Sequence, residues 1–363
     1  MRTKSWYVGG DGSGWALDSE LATTVRCLPE VFTPIPLFYD SVHCVYWPLL
    51  FALPARLLRG KKIIAHMTHD PRVAWENPKF HQAKSIVGLW IARSTDAYDF
   101  LLRNGLSVEL VPYMVDDRHF KPLSPDHGKL VELAKRCDIP KDKYLIGSFQ
   151  RDSEGADLSK PKLVKGPDRF VDIVSSLNAC SNRVHVVLAG PRRHWIRNEL
   201  KARGVPFSFV GKLVKGDDTD VNNLSWDEVN LLYNLVDCYI VASRNEGGPL
   251  SIIEAISCST KIVSTHVGHA PDVLSPQCIF DSCQDAVKLL RADIDEGVLD
   301  GSIATNSLRL KRHLFPQVQE TWRNVYFDTV PGIRAALPDE SFPRRGGATA
   351  AGRQVWKNLW LKK

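Results

Sequence analysis

The chain has 363 residues, with 47 Lys plus Arg against 41 Asp plus Glu, a formal net charge of +6 and eight cysteines. That length exceeds what one core usually serves, so two domains are expected; the modest, scattered positive excess suits an anionic substrate or a membrane surface and makes no case for nucleic acid. The cysteines form no Cys-x-x-Cys pair, and Cys44 and Cys238 lie in apolar runs as small buried thiols do, which fits a reducing cytosol. Behind the basic start Met1-Arg-Thr-Lys4 no apolar stretch is long enough for a signal peptide, no later run approaches a membrane span, and the sequon at Asn223-Leu-Ser225 is read as chance.

Trp6 to Val8 reads as a first strand entering a glycine-rich loop, Gly9 to Gly14, with a helix starting across Asp18 to Thr24. Gly10 and Gly12 are followed by Trp15 where the dinucleotide fingerprint needs a third glycine, which disfavours a nicotinamide enzyme. Apolar segments at Val42–Tyr46, Ile63–Ala65, Ile86–Ala92 and Val108–Tyr113 alternate with helix-like stretches. That rhythm predicts a parallel sheet covered on both faces, with ligands gathering at the C-terminal ends of its strands. His66, His69 and Asp70 follow directly after one such strand. A histidine there can hydrogen-bond a substrate hydroxyl or polarise a nucleophilic one. A metal is the alternative for two histidines three apart, but no third ligand cluster accompanies them; a structural histidine is the other.

Beyond the apolar segment that ends at Tyr113, residues 123–143 form a charged linker region containing a helix. Tyr144 to Arg151 then reads as a strand ending in a cation. An insertion carrying Lys160 and Lys162 separates it from Lys165-Gly166-Pro167 and a helix to Leu177. The alternation continues through a strand at His185–Ala189, a helix to Arg203, a strand at Phe207–Val210 and a helix at Trp226–Asn234. A buried strand, Cys238–Ala242, leads through Ser243-Arg-Asn-Glu-Gly-Gly-Pro249 into a helix from Leu250 to Ser257. Gly247 and Gly248 let a ligand approach the backbone, and the free N–H groups of the following helix favour a phosphate. Glu246 and Glu254 bracket this turn and suit sugar hydroxyls rather than phosphate charge. Residues 303–327 have helical spacing, and the tail from Pro331 to Lys363 places Trp356, Leu359 and Trp360 on one helical face beside lysines, a candidate interfacial anchor.

Two glutamates with seven residues between them, Gly-Gly-Pro-Leu-Ser among these and Thr260 to Asp272 just beyond, resemble the donor-binding signature of family 4 glycosyltransferases. The resemblance implies an α/β chain of GT-B fold: two Rossmann-like domains facing across a cleft, residues 1–122 on the acceptor side and 144–310 binding the nucleotide sugar. A crossing helix at 311–330 returns to the first domain before the tail at 331–363. It implies that Glu254 holds the ribose, Glu246 contacts the donor sugar, and the amides near Leu250 and Ser251 receive the diphosphate, with Gly10 and Gly12 closing over it. His69 with Asp70 faces the sugar or the acceptor, a one-residue shift of alignment exchanging His69 for His66. Arg151 and Lys165, or Lys160 or Lys162 in its place, stabilise the leaving diphosphate. His69, Glu246, Arg151 and Lys165 are the expected catalytic set; no metal and no cofactor beyond the donor is implied.

The expected activity is retaining transfer of a hexose-like sugar from a nucleoside diphosphate to the hydroxyl of a sugar, glycolipid or other acceptor, in glycan or glycolipid synthesis. The expected location is cytoplasmic, with peripheral contact at the inner face of a membrane as a variant. Met114 stands where the family has glycine, Ser259 replaces another glycine, and Lys261 replaces a proline. Two rival readings keep the same fold: a sugar-nucleotide epimerase or phosphorylase, and a catalytically silent nucleotide-binding scaffold.

Overall fold

The computed structural model describes residues 4–9, 16–33, 39–154 and 157–329. Gly10 and Gly12 of the first loop, and the tail with Trp356, Leu359 and Trp360, lie outside the described residues. The chain divides into two units: one of the residues up to Met114 together with those from Arg312 onward, the other Val115–Lys311.

The first unit is built on six parallel strands, β1 (Ser5–Val8), β2 (Phe32–Thr33), β3 (Ser41–Cys44), β4 (Lys62–Met67), β5 (Leu89–Ala92) and β6 (Val108–Leu110), in the order β2-β1-β3-β4-β5-β6. Between them run α1 (Ala16–Cys27), α2 (Pro71–Trp75), α3 (Pro78–Ile86) and α4 (Thr95–Arg103). The starts of these helices are encoded locally: Asp70, Asn77 and Ser94 each accept a first-turn N–H, and Pro71 and Pro78 occupy first helical positions. The apolar run Ile86–Ala92 is divided, its first residue ending α3 and Leu89–Ala92 forming β5. Apolar continuity alone does not separate a buried helix end from a strand.

Alternation along the strands gives the sheet two faces. One packs Trp6, Val42, Ile63, Ala65, Met67 and Trp90 against α3 and α4. The other carries Tyr7, Ile64 and Ile91 with His43, His66 and Arg93, all buried. Its polar groups form one chain of hydrogen bonds. Arg93 Nη2 lies 2.9 Å from His66 Nδ1, His66 Nε2 lies 2.5 Å from His43 Nε2, and His43 Nδ1 lies 2.6 Å from the Tyr326 hydroxyl, which donates to Ser5 Oγ at 3.3 Å. Arg93 has no acceptor atom, so His66 must accept at Nδ1 and donate at Nε2, and His43 must then donate from Nδ1 to Tyr326. Arg93 also pairs with Glu20, which accepts from Thr24 Oγ1 at 3.1 Å. Burial lowers the pKa of both histidines, that of His66 to about 3.

The second unit has eight strands: β7 (Tyr144–Ser148), β8 (Ser153–Glu154), β9 (Asp157–Pro161), β10 (Val184–Ala189), β11 (Phe207–Val210), β12 (Cys238–Val241), β13 (Lys261–Thr265) and β14 (Ile279–Phe280). Six make a parallel sheet in the order β11-β10-β7-β12-β13-β14, while β8 and β9 form a separate antiparallel hairpin. Its helices are α5 (Gly128–Arg136), α6 (Pro167–Cys180), α7 (His194–Ala202), α8 (Thr219–Asn222), α9 (Trp226–Leu235), α10 (Leu250–Ser257), α11 (Ala270–Val273), α12 (Cys283–Glu296) and α13 (Asp300–Leu310).

The stretch expected as a linker, 123–143, is part of this unit. Leu133, Ala134 and Ile139 pack with Leu232 and Val236. Lys121 and Leu123 donate their N–H groups to Asn230 Oδ1 and Asn234 Oδ1 of α9 at 2.9 and 2.7 Å. The unit begins at Val115 rather than beyond Pro122. The helical stretch over 303–327 is divided: α13 ends at Leu310, and after a turn at Lys311–His313 the chain is back in the first unit as α14 (Phe315–Asn324). Pro316, which supplies no N–H, sits at the start of α14. Trp322, Val325 and Tyr326 join the core beside Tyr7. Among the described residues no helix is long and apolar enough to cross a membrane.

Candidate active site

In the second unit the chain runs from β7 outward to β10 and β11, then returns to the other side of β7 with β12. The order therefore reverses between β7 and β12, and a crevice forms outside the C-terminal ends of those two strands. Of the residues singled out in the sequence, Lys165, Glu246 and the turn into α10 meet there. Beyond β7 the chain passes through Phe149 and Gln150 to Arg151, which is exposed. The insertion then projects as the β8–β9 hairpin, closed at its base by the Lys162 N–H to Asp152 O bond of 2.5 Å. Because the insertion is closed off, Leu163–Lys165 re-enters beside β12. Lys165 Nζ lies 2.5 Å from Glu246 Oε1, whereas Lys160 stays on the hairpin, 77% exposed, paired with Asp157 at 3.2 Å.

A glycine makes that approach possible. Gly166 has φ +62, and a Cβ on it would lie 1.9 Å from the carbonyl oxygen of Ala242 at the end of β12. Backbone touches backbone at this point, so only glycine is tolerated. The junction is tied by Gln150 Nε2 to Lys165 O at 3.1 Å, Arg244 N–H to Val164 O at 2.9 Å, and the Arg244 guanidinium to both oxygens of Asp168 at 2.7 and 2.5 Å. Glu246 also accepts from Ser243 Oγ at 3.0 Å, which leaves its carboxylate held from two sides.

Gly247-Gly248-Pro249 leads into α10, whose amino end has no side-chain cap and no acidic residue in the first turn. The amides of Leu250 and Ser251 are thus presented with the positive end of the helix dipole, an arrangement that receives an anion. The opposite wall of this turn is Gly268, φ +50, where a Cβ would lie 2.7 Å from Gly248 N. One turn into α10, Glu254 is half-buried. It accepts from the Tyr233 hydroxyl at 3.0 Å, and burial raises its pKa to about 7.

In the first unit the order reverses between β1 and β3. Gly9 follows β1, and a Cβ there would lie 2.3 Å from Val45 just beyond β3. His66 is inside β4 and wholly buried in the network of His43 and Arg93. His69 lies past the strand end, half-buried between the rings of Tyr46 and Trp47 at 6.2 and 6.0 Å, and burial lowers its pKa against the opposing charge of Asp70. Of the two histidines, His69 is the one at the strand end. Asp70 is engaged as the cap of α2, accepting the Arg72 N–H at 2.9 Å.

The departures noted in the sequence are absorbed locally. Met114 is buried against Cys27, Sδ to Sγ 3.7 Å, without a left-handed backbone. Ser259 does adopt φ 60, the conformation its glycine counterpart would favour. Lys261 pairs with Asp293 at 3.0 Å and Asp300 at 2.5 Å. Sequence reasoning missed Gln150, the Arg244–Asp168 pair and the Tyr233 hydroxyl, because each acts through a partner distant in the chain, and it missed Ser243, whose hydroxyl reaches Glu246 only across the fold of the turn.

Residues 158–292 match a family model described as glycosyl transferases group 1. The matched segment runs from β9 into α12 and holds Lys165, Glu246 and Glu254. One human relative, a component of phosphatidylinositol N-acetylglucosaminyltransferase, is 31% identical over 106 residues, which are 28% of this chain and 22% of the human protein, so the match spans about a fifth of that relative. Among solved structures, HepE from Anabaena in complex with UDP and glucose superposes with a TM-score of 0.68 at 14% identity, covering 89% of this chain and 99% of HepE. Sucrose-phosphate synthase from Thermosynechococcus elongatus gives 0.61 at 13% identity, covering 79% and 73%. At such identities the likeness is one of fold: two parallel-sheet, Rossmann-like units in one chain, the GT-B class.

Proposed function

We propose that this protein is a retaining glycosyltransferase that moves a sugar from a nucleoside diphosphate to an acceptor hydroxyl in glycan or glycolipid synthesis. The observation that carries this reading is the meeting of Lys165, Glu246 and the uncapped amino end of α10 at the strand-order reversal of the second unit. The diphosphate lies against the amides of Leu250 and Ser251, Lys165 exchanges its bond to Glu246 for a phosphate oxygen, and Arg151 supplies a second cation. As the glycosidic bond breaks, charge grows on the leaving phosphate, so fixed cations stabilise the transition state more than the ground state. Two side-chain cations there can serve where other transferases use a divalent metal. Glu246, freed from Lys165, accepts from hydroxyls of the donor sugar, and Glu254 from those of the ribose. The acceptor attacks the face the diphosphate leaves, and the leaving phosphate takes its proton. His69 and the first unit's strand ends are assigned to the acceptor side.

The human relative named for N-acetylglucosamine transfer and the HepE complexes with UDP and UDP-glucose make uridine diphosphate sugars the first donors to try. The test is release of nucleoside diphosphate from UDP-, GDP- and ADP-sugars by the purified chain, with hydroxyl acceptors added and EDTA present. Arg151→Ala and Lys165→Ala should lower turnover by roughly a hundredfold, the scale of a lost oxyanion donor, with little change in nucleotide affinity, while Glu254→Ala should weaken affinity. No release from any donor, or an isomerised donor without acceptor, overturns the proposal.

A further inference from the structure

Tyr233 of α9 and Tyr239 of β12 are both buried, and their rings close a three-membered cluster with Phe149, centroids 5.2 to 5.5 Å apart. Gly147 makes room for it, since a Cβ there would lie 2.9 Å from the Phe149 ring and 3.2 Å from that of Tyr239. Phenylalanine at both tyrosine positions would fill the same space, so the hydroxyls need a separate account. Each is directed at α10. The Tyr233 hydroxyl donates to Glu254 Oε2 at 3.0 Å, and that of Tyr239 is engaged by the Phe149 backbone as well as by Ser251.

We propose that Tyr233 is a positioning residue of the donor site, its hydroxyl fixing the carboxylate of Glu254 so that the second oxygen faces the ribose. The inference rests on the reading of α10 as the donor-binding helix. With Oε2 occupied by a buried donor, Glu254 keeps one orientation, and Oε1 is left to accept from a ligand. The same bond sets the charge. Burial favours the protonated carboxyl, and the Tyr233 hydrogen bond opposes it. The other titratable groups recorded against Glu254 are Tyr239 and Cys258, each with its pKa raised by burial and so neutral near pH 7. No cation among these groups substitutes for the tyrosine. A protonated Glu254 would donate one hydrogen bond where ionised Glu254 accepts several, and nucleotide affinity would fall with it.

The test is calorimetric titration of the full chain with UDP, GDP and ADP between pH 5.5 and 9, for the wild type, Tyr233→Phe and Tyr239→Phe. Thermal unfolding checks that each variant is folded. Tyr233→Phe should bind roughly tenfold more weakly at pH 7, the scale of a hydrogen bond to a charged group. Its affinity, taken as a ratio to wild type, should recover towards pH 9, because the midpoint of its pH dependence moves up. Tyr239→Phe, which loosens the same ring cluster without touching the bond to Glu254, should leave that midpoint in place. A loss in Tyr233→Phe that persists undiminished at pH 9 supports orientation without the change of charge, whereas no loss at all, or an equal loss and midpoint shift in both variants, overturns the positioning role while the donor site stands. A wild type that binds none of the three nucleotides overturns both.

Discussion

Ser259 closes α10 with a Cβ in the left-handed region, φ 60. Its N–H bonds Ile256 O at 2.9 Å, and the Thr260 N–H bonds Ala255 O at 3.0 Å, the paired bonds of a Schellman cap. A side chain in that region costs about 1 kcal/mol, and glycine gives back about half of the saving as unfolded-state entropy. Ser259→Gly should therefore raise stability by about 0.5 kcal/mol and Ser259→Val, β-branched at positive φ, should lower it by about 1–2 kcal/mol; urea unfolding measures both. Gly166 is the reverse case. Its place against Ala242 O leaves no room for a methyl group, so Gly166→Ala should cost at least about 2 kcal/mol. It should also lower turnover, because relief of the clash moves Lys165 away from Glu246; a variant as stable as the parent would show that the loop yields freely. At Lys261 the substituted proline has become one side of a buried ion-pair group with Asp293 and Tyr144, a repacking rather than a loss.

At the level of elements, the polar face of the first sheet has a pH signature. His43 and His66 are held neutral with pKa values below the ordinary 6.5. Below that value the unfolded chain takes up protons that the folded chain refuses, so stability falls as pH drops from about 6.5 towards 3, by up to about 1.4 kcal/mol per pH unit for each histidine. Comparing wild type with His43→Gln across pH 4 to 7 should show a flatter dependence in the variant; parallel curves would mean that the histidines are protonated in the fold. Helices and strands with strong period were legible in the sequence: β10, β11, β12, α6, α9 and α10 lie where their apolar spacing placed them. The β8–β9 hairpin was not, because Asp157-Leu-Ser-Lys-Pro161 has no apolar alternation and is held by strand pairing and by packing on α7. That gap is also why the choice among Lys160, Lys162 and Lys165 stayed open. The spacing Lys-Gly-Pro named the residue, but only the closed base of the hairpin brings it to Glu246. The sequence favoured His69 over His66 by its neighbour Asp70, with a shift of alignment able to exchange them; the end of β4 at Met67 leaves His66 in the core and His69 beyond the strand.

Over the whole chain, each unit has its own core and its own reversal of strand order, and the donor chemistry is assigned to one of them. A nucleoside diphosphate at one hundred times its Kd should stabilise the native state by about 2.7 kcal/mol. Hydrogen exchange should then show added protection at residues 163–168 and 243–257; protection confined to residues 41–70 would move the nucleotide to the other unit. The chain also leaves the first unit after Met114 and re-enters it at Arg312, and the late arrivals Trp322, Val325 and Tyr326 are core residues, not surface additions. During synthesis the ribosome must therefore make the entire second unit before the first sheet can cover its His43–His66 face. The half of the protein that is translated first is the half that finishes folding last, and in the interval its exposed polar strands depend on the nascent chain, or a chaperone, for cover.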